Sequence, residues 1–198
     1  MNGALRKATT LPQFLAWEDR QELRYEFDGF QPVAMTGGTV AHETISGTLR
    51  ALLRERLRGK LCCGVGPTMT VEVMDRILYP DAFVYFTAVP PTETVIKSPV
   101  VVFEVLSPGS SRTDRIEKLR EYQATQSIQR YVILEQDSIA ATVVARHGAD
   151  WIVHALIAED ILRMPEIEVA LPLTDIYADV QLPPQSDDAA ASGPSGSL

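Results

Sequence analysis

Apolar residues recur along this chain with two different periods, and the switches between them mark out its elements. The clearest helical stretch is 40–58. There Ile45, Leu49, Leu52, Leu53 and Leu57 share one face, while Arg50, Arg54, Arg56 and Arg58 lie largely off it. Gly59 is placed to end that helix. Upstream, residues 1–10 read as a mobile lead, and 11–22 reads as a helix with Pro12 accommodated in its first turn. Segments 23–27 and 31–35 flank Asp28–Gly29, a hairpin signal, and Thr36–Gly37–Gly38 interrupts the chain before the helix.

Strands are expected over 68–74, 81–86, 100–106, 130–136, 139–146 and 151–157, with His147–Gly148–Ala149–Asp150 joining the last two as a hairpin loop. A helix fits 113–125, opened by the 107–111 loop. In it Asp114, Lys118 and Tyr122 form one stripe, with Ile116 and Leu119 turned towards the sheet. From Leu182 the chain becomes LPPQSDDAAASGPSGSL, a composition that buries no core. The expected organisation is one α/β domain over 1–181 and a disordered tail over 182–198.

Composition changes the picture only modestly. Of the 198 residues, 45% are hydrophobic and 22% charged, as in ordinary globular proteins. No apolar run is long enough to span a bilayer, and the first twenty residues hold no continuous apolar segment of a secretory signal. Cys62 and Cys63 are adjacent, which suits neither an unstrained disulfide nor a zinc site, so a reduced, cytoplasmic pair is expected. The net charge of −8 argues against electrostatic coating of nucleic acid. It leaves room for an enzyme whose metal and local basic patch attract phosphate. The arginines of 40–58 fit either a phosphate-facing role or a solvated face.

Candidate chemistry centres on two carboxylates. Residues 99–106 read PVVVFEVL, apolar on both parities, as in a strand covered on both faces, yet Glu104 stands inside. A buried carboxylate needs a cation, a hydrogen-bonding partner or a raised pKa. Asp81 enters another β-prone run, and if the two strands pair, both acids meet at one sheet end. Two such anions call for a metal or a proton between them, and hard oxygen donors favour Mg²⁺ or Mn²⁺. Lys118 either pairs with Asp114 or sets its ammonium near a scissile phosphate. His147 and His154 default to structural roles, and Ser107 lacks the surroundings of a nucleophile.

Several short motifs then fall in order: Tyr25-Glu26-Phe27-Asp28-Gly29, His42, Pro80-Asp81, Phe103-Glu104-Val105-Leu106-Ser107-Pro108, and Asp114 through Lys118 to Tyr122. Together they resemble the Uma-two family, within the PD-(D/E)XK, restriction-endonuclease-like superfamily, across roughly 11–177. The resemblance implies a mixed central sheet flanked by helices and a metal-dependent endonuclease acting on DNA. It implies Asp81 and Glu104 as metal ligands, with the main-chain carbonyl of Val105 as a third. Glu26 matches an acid that binds a second metal or orients water. The superfamily's usual lysine position is Leu106 here, and Lys118 matches a lysine relocated to the following helix. His42, Asp114 and Tyr122 are secondary candidates. A catalytically degenerate binding module and a different metal-dependent phosphodiesterase are the rival readings. Surplus aliphatic residues in the late hairpin, among them Val143, Val144, Ile152 and Val153, suggest a homodimer.

Overall fold

The computed structural model describes residues 9–35, 37–60, 63–66, 68–106 and 112–182, with 63–65 and 112–114 described in backbone alone. Cys62, Ser107, most of the expected tail and the first eight residues lie outside this set. α1 (Leu11–Glu18) carries Pro12 in its first turn, and Thr10 and Gln13 form a capping box at its start. It ends four residues earlier than its pattern suggested. The chain turns there through Asp19 and Arg20, and the Gln21 side chain donates to the Trp17 carbonyl.

β1 (Tyr25–Phe27) and β2 (Pro32–Ala34) form the expected hairpin, with Gly29 at φ +89° in its turn. α2 (Val40–Arg56) begins where the Thr39 side chain accepts the His42 amide at 3.1 Å. Gly59 follows it at φ +78°. β3 (Cys63–Val65), β4 (Thr70–Val73), β5 (Arg76–Leu78), β6 (Ala82–Tyr85), β7 (Val95–Ile96) and β8 (Pro99–Val105) come next, then α3 (Arg112–Ala124) and β9 (Arg130–Leu134). The long hairpin of β10 (Ala140–His147) and β11 (Asp150–Ile157) matches expectation. After it, β12 (Ile161–Met164), β13 (Val169–Pro172) and α4 (Leu173–Ile176) are elements the pattern did not announce.

Two main sheets result. One has the order β2-β1-β5-β4-β7, and the other β11-β10-β9-β8-β6-β3. In the second, β8 and β9 run parallel with α3 as their crossover, while β6 runs antiparallel to β8. Its two faces bury different partners. Ala82, Val84, Val101, Phe103 and Val105 pack with Ile45, Leu49 and Leu53 of α2 and with Leu57 just after it, and Leu162, Leu171 and Ile176 extend the same core. Phe83, Tyr85, Val102 and Tyr131 pack instead with Tyr122 and Ile128, and with Val71, Val73 and Leu78 of the other sheet. Fully burying one such leucine or phenylalanine contributes about 1.5–3 kcal/mol. Leu119 packs in this second core as expected, but Ile116 stays 40% exposed. The stripe carrying Lys118 and Tyr122 lies closer to the sheet than the Ile116 side does.

Candidate active site

β6 and β8 deliver the two acids. Ala82 pairs with Phe103 in the antiparallel register, so Asp81, one residue before β6, stands across from the end of β8 that holds Glu104. The Asp81 carboxylate is fixed at both oxygens. Oδ2 accepts the Val105 amide at 2.7 Å, and Oδ1 lies 3.2 Å from His42 Nε2. The contact with Asp81 raises the His42 pKa, burial opposes that rise, and Glu43 and Glu104 assist it.

Glu104 occupies a partly covered strand position whose side chain is 16% exposed. Its Oε1 accepts from the Tyr122 hydroxyl at 3.0 Å and faces Lys118 Nζ at 3.5 Å. Burial pushes its pKa up to about 7. Lys118 pulls it down, the charges of Glu26 and Asp81 push it up, and the Tyr122 hydrogen bond lowers it. Glu26, in the middle of β1, accepts Lys118 Nζ at 3.3 Å and the Tyr79 amide at 3.0 Å through Oε1. Arg24, two residues before Glu26, donates to the Tyr79 hydroxyl and lies over its ring. Lys118 therefore bridges two acids, Glu26 and Glu104, from two different sheets. The side chain of Asp114 lies outside the described set.

Glu26, Asp81 and Glu104 share this neighbourhood with the Lys118 ammonium; burial is the main cause of the elevated Glu104 pKa, and the other two acids add to it while Lys118 opposes it. Among the described residues, no three of His, Cys, Asp and Glu converge closely enough to cage a metal by themselves. A small hard cation such as Mg²⁺ is commonly held by one or two carboxylates, with waters and substrate phosphate completing its shell. The hard oxygens of Asp81 and Glu104 fit such an ion chemically.

Several supporting residues were not singled out beforehand. Tyr79 gives its amide to Glu26, and its hydroxyl donates to Glu18 at 2.8 Å. The Gln136 amide donates to the Leu106 carbonyl, and the Thr39 hydroxyl donates to Gln136 Oε1, tying the end of β8 to the start of α2. Arg50 donates to the main-chain carbonyl of Asp81 at 3.2 Å, while Arg54, Arg56 and Arg58 are exposed. The periodicity marked all four arginines alike. What separates Arg50 is its position two turns after His42 on the same helix stripe.

The chain is similar to several known proteins. An uncharacterized protein of Synechocystis sp. is 28% identical over 169 residues, covering 83% of this chain and 89% of its own. A crystal structure described as "a putative nuclease belonging to DUF820", from Anabaena variabilis, superposes with a TM-score of 0.69 at 17% identity. That likeness covers 85% of this chain and 97% of the neighbour, and it shows a shared fold. The family model described as "Putative restriction endonuclease" matches residues 11–174. The chain therefore belongs to the Uma-two family of restriction-endonuclease-like proteins.

Proposed function

We propose that the protein is a metal-dependent endonuclease that hydrolyses phosphodiester bonds of DNA. The observation that carries the reading is Lys118 set between Glu26 and Glu104, at 3.3 and 3.5 Å, beside the end of β8 where Asp81 is docked. In this reading the helix-borne lysine supplies the charge that Leu106 lacks.

Asp81 and Glu104, with the Val105 carbonyl, would hold Mg²⁺ or Mn²⁺. Such an ion, when bound, supplies Lewis-acid polarisation of the phosphate and an acidified water. The chain's own groups do the rest. Asp81 is oriented by the Val105 amide and His42, and Glu104 by Tyr122, so neither acid has to reorganise when substrate arrives. The Lys118 ammonium offsets negative charge that grows on the phosphate, and Glu26 orients that ammonium or the attacking water from the β1 side. DNA as substrate rests on the family description, an argument by analogy.

The one-domain organisation over 1–181 and a cytoplasmic setting belong to the same reading. No helix among the described residues is long and apolar enough to cross a membrane. Of the hairpin's aliphatic residues, Val143 and Val144 are spent on the core, but the eight-residue edge strand β11 leaves Ile152, Val153 and Ile157 exposed by 42%, 62% and 60%, which supports a homodimer. Sedimentation at micromolar concentration checks it, and a monomer there would remove it.

The deciding experiment incubates supercoiled and single-stranded DNA with Mg²⁺ or Mn²⁺, comparing wild type with Asp81→Ala, Glu104→Ala and Lys118→Ala. Metal-dependent nicking lost in all three variants is the expected result. Cleavage by Asp81→Ala at the wild-type rate would overturn the assignment. A mononucleotide diester cut in preference to plasmid would point to a phosphodiesterase instead. No cleavage together with no Mn²⁺-dependent rise in Tm would favour a binding module.

A further inference from the structure

One helix grips Asp81 twice. His42 and Arg50 lie eight residues apart on α2, so their Cα atoms are about 12 Å apart along the axis and share a face. Helix side chains slant towards the N-terminus, so the long Arg50 arm runs back towards His42. His42 meets the carboxylate of Asp81 at 3.2 Å, and Arg50 meets its main-chain carbonyl, also at 3.2 Å. The other guanidinium edge points at Glu43 Oε2, 3.8 Å away in the first turn of the same helix. The fork is thus braced on its own helix while it holds the strand entry.

Gly66 makes room for this arm. A Cβ on Gly66 would overlap Arg50 Cδ and come within 2.8 Å of the Asp81 carbonyl oxygen, a backbone atom that cannot swing aside. The absent side chain leaves the channel through which Arg50 reaches Asp81.

We propose that Arg50 is a positioning residue for the site, and that Gly66 is required for it to act. By anchoring the Asp81 carbonyl, Arg50 fixes the main-chain rotation that aims the carboxylate at the Val105 amide and sets it beside Glu104. Its consequence for metal and DNA rests on the function proposed above; the placement of Asp81 does not. In this reading Arg50 acts through Asp81 and not by touching phosphate: one terminal nitrogen donates to the Asp81 carbonyl and the other faces Glu43. Lysine can reach the same carbonyl but presents no planar fork to hold two acceptors at once.

The test compares wild type with Arg50→Met, Arg50→Lys, Gly66→Ala and, as an exposed control on the same helix, Arg54→Ala. In metal-free protein, the proton shift and hydrogen exchange of the Val105 amide report its bond to Asp81. In the same samples, Mn²⁺ affinity is read by titration, and kcat and KM for plasmid cleavage are measured separately. Arg50→Met and Gly66→Ala should move the Val105 amide upfield and speed its exchange at least tenfold. They should weaken Mn²⁺ at least tenfold and lower kcat with KM little changed, with Arg50→Lys recovering part and Arg54→Ala matching wild type. An unchanged Val105 amide in Arg50→Met overturns the proposal, whether or not the protein cuts DNA. A raised KM with a smaller salt dependence and unchanged Mn²⁺ affinity also overturns it, since Arg50 would then touch phosphate. If the amide responds while wild type neither binds Mn²⁺ nor cuts DNA, the positioning role stands and the nuclease reading falls.

Discussion

The Tyr122 hydroxyl donates to Glu104 Oε1 at 3.0 Å from a side chain with no solvent exposure, on the same oxygen that Lys118 faces at 3.5 Å. A neutral and a charged donor therefore share one oxygen of a buried acid. Replacing the hydroxyl in Tyr122→Phe leaves that oxygen dependent on the ammonium. A loss of about 1–3 kcal/mol is expected in urea denaturation at neutral pH. Because the hydroxyl lowers the Glu104 pKa, the acidic limb of the cleavage profile should move to higher pH. An unchanged urea midpoint and pH profile would show the contact to be idle.

Stability of the metal-free protein should fall as pH rises. Burial first, then the neighbouring acids, lift Glu104 from 4.5 to about 7 in the folded chain. Between those values the folded chain binds more protons than the unfolded one, so Glu104's contribution declines with pH across that window, by about 3 kcal/mol. His42 acts in the same direction. Its raised pKa gives a contribution that is full below the unfolded value of 6.5 and lost as pH climbs through the folded one. Urea midpoints between pH 5 and pH 8 in EDTA should trace this decline, and Glu104→Gln should flatten it. A midpoint that rises with pH would contradict the burial argument.

Lys118→Met should be costly at pH 8 and mild at pH 5. With the ammonium gone, Glu26 and Glu104 face each other uncompensated, and breaking a buried pair on one side costs about 3–5 kcal/mol. At pH 5 Glu104 is protonated and most of that penalty disappears. Adding Glu26→Gln to Lys118→Met should restore part of the loss at pH 8. A double-mutant cycle in Tm measures the recovery, and strict additivity would mean the two groups do not interact.

The end of α3 depends on Arg146. Its guanidinium donates to the carbonyls of Gln123, Thr125 and Ile128 at 3.0–3.1 Å and lies 4.4 Å from the Trp151 ring centroid. A cation among the last carbonyls of a helix stabilises it through both hydrogen bonds and the helix dipole. Arg146→Ala should cost about 2–4 kcal/mol and accelerate amide exchange around Tyr122. Arg146→Lys should recover less than half, since one ammonium cannot serve three carbonyls and a ring. Exchange at Tyr122 unaltered in Arg146→Ala would remove this role.

The sequence made the central part of the fold legible because its signals are local. The α2 stripe of Ile45, Leu49, Leu53 and Leu57 and the two-sided run around Glu104 each name their own environment. The structure brings Glu26, His42, Asp81, Glu104, Lys118 and Tyr122 into one neighbourhood, and it was the family resemblance that joined them beforehand. Elements β12, β13 and α4 were harder to see. Their strands are four residues long, with Leu162, Met164, Val169 and Leu171 turned inward, too short a run to declare a period. Ile116 was misplaced because α3 is apolar only in part, and the buried Tyr122 outweighs an isoleucine at its edge. Arg50 and Gly66 were illegible in another way. The spacing puts Arg50 on the His42 side of α2, but the steric gap at Gly66 through which it reaches Asp81 has no signature along the chain.

The bridge from Lys118 to Glu26 spans 92 residues of sequence, and it joins a strand of one sheet to the helix that crosses the other. Contacts of such separation form only after the intervening chain has been organised. Nothing made early in synthesis can assemble this cluster. A chain still emerging from the ribosome has Glu26 and Asp81 well before it has Lys118, and β9 must arrive before β8 is covered on both sides. Under the function proposed above, the capacity to cleave would therefore follow the docking of α3 onto the sheets and not precede it.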